Sequence, residues 1–198
     1  MGWKLQGARN NIQPCRTRIV KGQIMIFGIS AQAYTLVHVV LSLIGIVSGF
    51  VVLFGMFNAK RLDRWTTLFL ITTALTSLTG FGFPFHGLLP AHKLGILSLV
   101  VLAISVLARY VFHVSGHWRW IYVVTAQLAL YFNVFVLVVQ AFEKVPALKR
   151  LAPTQSEAAF LIAQLVVLAA FVALTIAAVR RFHLDQGTPA LSQASRAS

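Results

Sequence analysis

The sequence predicts an all-α bundle of five transmembrane helices, with its N-terminus outside and its C-terminus inside. Three observations carry that prediction. Of 198 residues, 58% are hydrophobic and only 11% are charged, against roughly 45–50% and about 25% in a soluble domain. The apolar residues fall into five runs, each near the roughly 20 residues that a helix needs to cross a bilayer core. Short connections separate the runs, and charge collects in them. Lipid is therefore the expected solvent, because a helix satisfies its backbone polar groups internally where water is absent.

Residues 1–33 form a basic arm, with Lys4, Arg9, Arg16, Arg18 and Lys21 and no hydrophobic periodicity. It reads as a disordered arm, an amphipathic surface segment or a non-native extension. Lys21-Gly22 would be written in purine-rich codons like a bacterial ribosome-binding site, so translation is expected to begin at or after Met25. The first span covers 34–57. It exceeds the 7–15-residue core of a secretory signal and is closed by no small-x-small cleavage site. Further spans follow at 66–85, 92–113, 118–142 and 158–179. They are joined by NAKRLDRW, HGLLPA, SGHW and EKVPALKRLAPTQSE, short enough to make sequential helices antiparallel neighbours. The membrane domain is thus 34–184, and residues 185–198 are small and polar, as in a disordered tail.

A net charge of +13 would point to nucleic acid in a soluble protein. Here the basic residues flank apolar runs, which is the pattern of topology signals and lipid-phosphate contacts, and no nucleic-acid partner is expected. With the N-terminus outside, the inner side holds Lys60, Arg61, Arg64, Arg109, Arg119, Arg180, Arg181 and Arg196. The outer side holds Lys93, Lys144, Lys149 and Arg150, plus five more if the basic arm is native. Starting at Met25, eight against four favours N-outside, and Trp65, Tyr110, Trp118 and Trp120 would form an aromatic belt at the inner interface.

Several chemistries lack their residues. Cys15 is the single cysteine and can make no internal disulfide. Asp63, Glu143, Glu157 and Asp185 all fall in loops or tails, whereas proton and cation pumps generally need an acid at depth. No glycine-rich phosphate loop, GxSxG elbow or carboxylate pair appears, which argues against kinases and hydrolases.

The hairpin GFGFPFHGLLPAHKLG, residues 80–95, brings His86 and His92 to the depth of His38 in the first span. Imidazole ligates zinc, copper and haem iron, so His38, His86 and His92 are candidate ligands for haem b or a transition metal. The plainer alternative is interfacial histidine bonded to backbone or headgroup. A small or polar stripe, His38, Ser42, Gly45 and Gly49, runs down the first helix, and His92, Gly95 and Ser98 run down the third. Gly45 and Gly49 make a GxxxG that favours close contact within the bundle over homodimerisation. Gln127, Asn133 and Gln140 in the fourth span, with Gln164 in the fifth as a possible partner, should face the bundle interior, as interhelical ties or as a polar path. His113 and His117 are a weaker pair astride Gly116, and Arg109 is expected to snorkel to phosphate beside Tyr110 and Arg119.

The segments HVVLSLIGIVSGFVVLFG, RLDRWTTLFLITTALTSLTGFGFPF and HKLGILSLVVLAISVLARY resemble small uncharacterised polytopic inner-membrane proteins of alpha- and betaproteobacteria. That resemblance implies a bacterial inner-membrane location and no activity. A looser likeness to cytochrome b561-like bundles implies haem b held between histidines, for which His38, His86 and His92 are the residues at hand. In that group the histidine pairs stand within the spans, whereas His86 and His92 stand at span ends. Three functions follow as expectations: a haem- or metal-binding redox protein, a small transporter or permeation subunit, or an assembly partner without chemistry. The lipid bilayer is the expected partner, with a homo-oligomer or another membrane protein as further candidates.

Overall fold

The computed structural model describes residues 25–26, 29–82 and 90–182. A two-residue antiparallel pair, β1 (Met25–Ile26) and β2 (Ile29–Ser30), leads into α1 (Ala31–Phe57). Then come α2 (Asp63–Gly80), α3 (Pro90–Val106) with a π-helical turn at Leu107–Val111, α4 (Trp118–Lys144), α5 (Pro146–Leu151) and α6 (Ala158–Arg181).

The five apolar runs match five of these helices, and local chemistry moves their ends. α1 starts three residues before the expected span because Ser30 caps it, its hydroxyl accepting from the Ala33 N–H at 3.3 Å. α2 covers 63–80 rather than 66–85. Asp63 stands in its first turn, where a carboxylate complements the helix dipole. The hairpin's residues 83–89, with His86, lie outside the described residues, as do the arm up to residue 24 and the tail from 183. The long fourth connection contains α5, with Pro146 at its first position.

Among the described residues, four helical stretches are long and apolar enough to cross a membrane: Ala31–Phe57, His92–Val111, Trp118–Lys144 and Ala158–Arg181. α2 is shorter, opens on Asp63-Arg64 and carries a run of threonines, which dilutes its apolar character. The surface agrees with a lipid solvent. Leu36, Val47, Ile71, Leu78, Val100, Leu161 and Val166 are all exposed, far more contiguous apolar surface than water tolerates. This is a multi-pass membrane protein.

Packing closes α1 to α4 into a ring, in which α1 meets α2, α2 meets α3, α3 meets α4 and α4 returns to α1. α6 lies outside the ring against α4 and α1. The apolar core, including Leu53, Met56, Phe69, Tyr122, Leu130 and Phe182, fills the ring toward the Asp63 end. Gly49 sits at its tightest point. A Cβ there would stand 2.6 Å from Leu130 Cδ1 and 3.0 Å from the Phe69 ring. At Gly45 a Cβ would meet Thr73 Oγ1 at 3.2 Å and Thr72 Oγ1 at 3.3 Å. The GxxxG face is therefore spent on α2 and α4 of the same chain.

The π-helical turn corrects one expectation. Phe112 N–H reaches back to Leu107 O at 3.0 Å and Val114 N–H to Ala108 O at 3.0 Å, and His113 and Val114 both take positive φ. The widened turn carries Arg109 inward rather than out to phosphate. Its guanidinium is almost fully buried, ion-paired with Asp63 and 5.2 Å from the Tyr122 ring centroid. Burial of a cation in a membrane bundle favours an acidic partner over a long reach to the surface. His113 and His117 are both exposed at this end.

Candidate functional site

At the opposite end of the ring the four helices diverge around a cavity of about 450 Å³, within the roughly 300–1,000 Å³ range of small-molecule sites. Each helix contributes polar groups: His38 and Ser42 from α1, Thr76 and Ser77 from α2, His92 and Ser98 from α3, Asn133, Gln140 and Lys144 from α4. Apolar side chains such as Ile46, Leu94 and Phe132 fill the remaining wall.

His38 is held from behind. Its Nδ1 lies 2.8 Å from Thr79 Oγ1. The single Thr79 hydroxyl proton is directed to backbone carbonyls of its own helix, Leu75 O at 2.7 Å and Thr76 O at 3.1 Å. Thr79 Oγ1 is then the acceptor and His38 Nδ1–H the donor, which in the neutral ring puts the lone pair on Nε2. The Thr79 carbonyl also accepts from the Tyr34 hydroxyl at 2.6 Å, so one turn of α2 anchors two side chains of α1.

His92 is buried in the first turn of α3, its ring 5.9 Å from that of Phe81 at the end of α2. Ser77 Oγ donates to Ser98 Oγ at 3.0 Å, tying α2 to α3, and Asn133 Nδ2 donates to Thr73 Oγ1 at 3.0 Å, tying α4 to α2. Thr76 Oγ1 is buried on the cavity wall with no hydrogen-bond partner among the described residues. Buried hydroxyls are normally satisfied, so an orphan on a cavity wall points to water or a bound molecule as its partner.

Of the residues singled out from the sequence, His38, His92, Asn133 and Gln140 line this one cavity. α1 and α3 stand diagonally in the ring, so the two histidines come from opposite walls. His86 lies outside the described residues. Gln127 and Gln164 stand elsewhere. Gln127 is buried nearer the Asp63 end, its Nε2 3.5 Å from Met56 Sδ. Gln164 Nε2 donates to Phe135 O at 3.3 Å and so binds the backbone of α4 rather than its amide side chains. Among the described residues, no three His, Cys, Asp or Glu side chains come together as a metal site.

Sequence reasoning missed Lys144 and the role of Thr79. Lys144 was findable, because α4 runs two residues past the expected span and 133, 137, 140 and 144 recur at four, three and four. Thr79 was one hydroxyl among many on α2, and only the distance to His38 separates it from the others.

No family model, curated protein or solved structure matches the chain. Fold and site by themselves define the class: a multi-pass membrane protein whose helix ring encloses a small-molecule-sized, polar-studded cavity.

Proposed function

We propose that this is a five-span bacterial inner-membrane protein that binds a small molecule in the cavity between α1 and α4, as a small transporter or permeation subunit would. The observation that carries the proposal is the convergence of His38, His92, Asn133 and Gln140 from three helices on one cavity, beside the unpartnered hydroxyl of Thr76. Polar side chains in a bundle are costly unless something engages them, and structural ties alone leave Thr76 without an engagement.

The count of five includes α2. Its 18 residues rise about 27 Å at ~1.5 Å each, close to the ~30 Å core. Its two ends reach Tyr34 near the start of α1 and Tyr110 near the end of α3, so it runs the depth of its neighbours. Leu68, Ile71, Leu75 and Leu78 give it an exposed apolar stripe. The basic residues support N-outside. Lys60, Arg61, Arg64, Arg109, Arg119, Arg180 and Arg181 gather at the Asp63 end, against Lys93, Lys144, Lys149 and Arg150 at the cavity end.

The binding proposal is tested by native mass spectrometry of protein extracted in mild detergent. A bound small molecule that is released by Ser42→Trp and Asn133→Leu supports it. Protein that carries nothing, and takes up nothing in reconstituted vesicles that the variants abolish, removes it.

A second reading, a haem b redox protein, is favoured by the two imidazoles on opposite walls and by the orientation of His38 through Thr79. Second-shell bonds of this kind orient ligating histidines. Two imidazoles on one cavity are the donor set that would hold haem. A bare transition-metal ion would need a third or fourth protein ligand, and His86, the remaining candidate, lies outside the described residues. Bound haem would supply one-electron chemistry, and His38 and His92 would hold it. A Soret band that shifts on dithionite reduction supports this reading, and a colourless preparation excludes it. The third expectation, an assembly partner without chemistry, would dock on a surface other than Gly45 and Gly49, which are buried within the chain.

A further inference from the structure

The cavity has a side wall that is not closed. Four of its lining residues, Val39 and Leu43 on α1 and Val136 and Leu137 on α4, are 37–45% exposed. The opposite wall, built from Thr76 and Ser77 of α2 with His92 and Ser98 of α3, is buried. α1 and α4 close on each other at Gly49, where Leu130 packs against the backbone, and separate toward the His38 end. The result is a seam between two helices whose outer faces, with Leu36 and Val40 alongside, are apolar and exposed. α6 covers the part of the seam where Phe171 packs on Phe50 and Tyr131; in a bilayer the part left exposed at Val39, Leu43, Val136 and Leu137 faces acyl chains rather than water.

We infer that the cavity is entered sideways from the bilayer through the α1–α4 seam, and that its occupant is a long-chain carboxylic acid. This rests on the cavity being a binding site, as proposed above. Three features select the ligand class. The lining is mostly apolar and continuous with the seam, which suits a hydrocarbon chain. Among the described residues, the charged side chain on the lining is the cation Lys144, on α4 with Gln140, with His38 and His92 on the same cavity and no Asp or Glu on the wall. An anionic head is complementary to that set, and Lys144 at the end of α4 stands where a fatty acid's carboxylate would ride in the membrane. The volume of about 450 Å³ is of the order of one drug-sized body, so it takes a single chain rather than a whole two-chain phospholipid.

The test uses the full chain in phosphatidylcholine vesicles with a 16-carbon fatty acid bearing a photoactivatable diazirine. Labelled peptides are mapped by mass spectrometry. The expected result is saturable labelling around Val39–Leu43 and Val136–Leu137, displaced by palmitate at least tenfold better than by the matching uncharged alcohol. Labelling of Leu165 and Val166 on the lipid-facing side of α6, the internal reference, should not be displaced. Lys144→Gln should erase the preference for acid over alcohol, and Leu43→Trp should abolish seam labelling. Because displacement is read on the unmodified chain, poor folding of a variant does not blunt the test. Seam labelling that is no more displaceable than that of α6, or equal displacement by acid and alcohol, overturns the inference. If, in that case, a water-soluble molecule is still released by Ser42→Trp, the cavity proposal stands and only its lipid occupant falls.

Discussion

Asp63 and Arg109 allow a sharp test of the fold, because the two halves of their ion pair sit in different surroundings. The Arg109 side chain is 2% exposed and that of Asp63 is 72% exposed. Removing one partner of a fully buried pair costs about 3–5 kcal/mol, because the other charge is stranded. Here the carboxylate has solvent on one side, so the lower value for a hydrogen bond to a charged group, about 1.5–3 kcal/mol, applies. Asp63→Asn leaves the guanidinium without its anion, with the Tyr122 and Tyr110 faces, at 5.2 and 5.8 Å, as weak substitutes worth about 0.5–2 kcal/mol. We expect a loss of about 2 kcal/mol, from those two ranges together. Arg109→Met should cost less, about 1 kcal/mol, because solvent receives the released carboxylate and methionine keeps much of the buried stem packing. The double variant should cost less than the sum of the singles, since the stranded cation is gone. Reversible unfolding in detergent, followed by circular dichroism against added sodium dodecyl sulfate, reads all three. If Asp63→Asn is neutral while Arg109→Met unfolds the protein, the pair does not stabilise the bundle as argued.

Other consequences can be measured with the same material. Gly49→Ala should destabilise by about 1–3 kcal/mol, the usual cost of overpacking. Gly45→Ala should cost less, because its nearest neighbours are hydroxyls at 3.2 and 3.3 Å rather than a methyl at 2.6 Å; equal effects would contradict the packing described. Thr79→Val removes the acceptor for His38 Nδ1 and should weaken any cavity ligand that His38 contacts by about tenfold, the lower end of second-shell effects, while Thr79→Ser retains binding. At the start of α6, desolvation pushes the Glu157 carboxyl up, but hydrogen bonds from Thr154 and Ser156 outweigh it and hold the pKa below the ordinary value. A lowered pKa stabilises the folded turn above the unfolded value and loses that contribution as pH falls through the folded one. Amide exchange at the first turn of α6 should therefore quicken on acidification below about pH 4, near the ordinary glutamate value, and Glu157→Gln should remove the change.

The apolar runs were legible in the sequence because a bilayer imposes one length on every span, and α4 and α6 begin where their runs begin. The shared depth of His38 and His92 was legible too, since it follows from counting residues along antiparallel helices. What the sequence did not reveal depends on neighbours. The π-helical turn at Leu107–Val111 has the same composition as an ordinary helix end, so the inward turn of Arg109 could not be read from a 3.6-residue period. Asp63 looked like a loop residue until Arg109 stood beside it. Gln127 and Gln164 share the chemistry of Asn133 and Gln140, but their angular positions on α4 and α6 take them to Met56 and to the Phe135 carbonyl instead of the cavity.

The peripheral position of α6 bears on biogenesis. It is fastened to the rest by Gln164 on the Phe135 carbonyl, Phe160 against Phe142, Phe171 against Phe50 and Tyr131, Phe182 against Tyr122, and Arg119 on the Phe182 carbonyl. A ribosome delivers this helix after α1 to α4 have already emerged, so the insertion machinery can release a closed quartet before the final segment arrives. A stop codon in the α5–α6 connection should then yield a shortened polypeptide that still inserts and keeps its interior chamber, with the packing of Phe182 on Tyr122 lost and a flank of α4 newly bared.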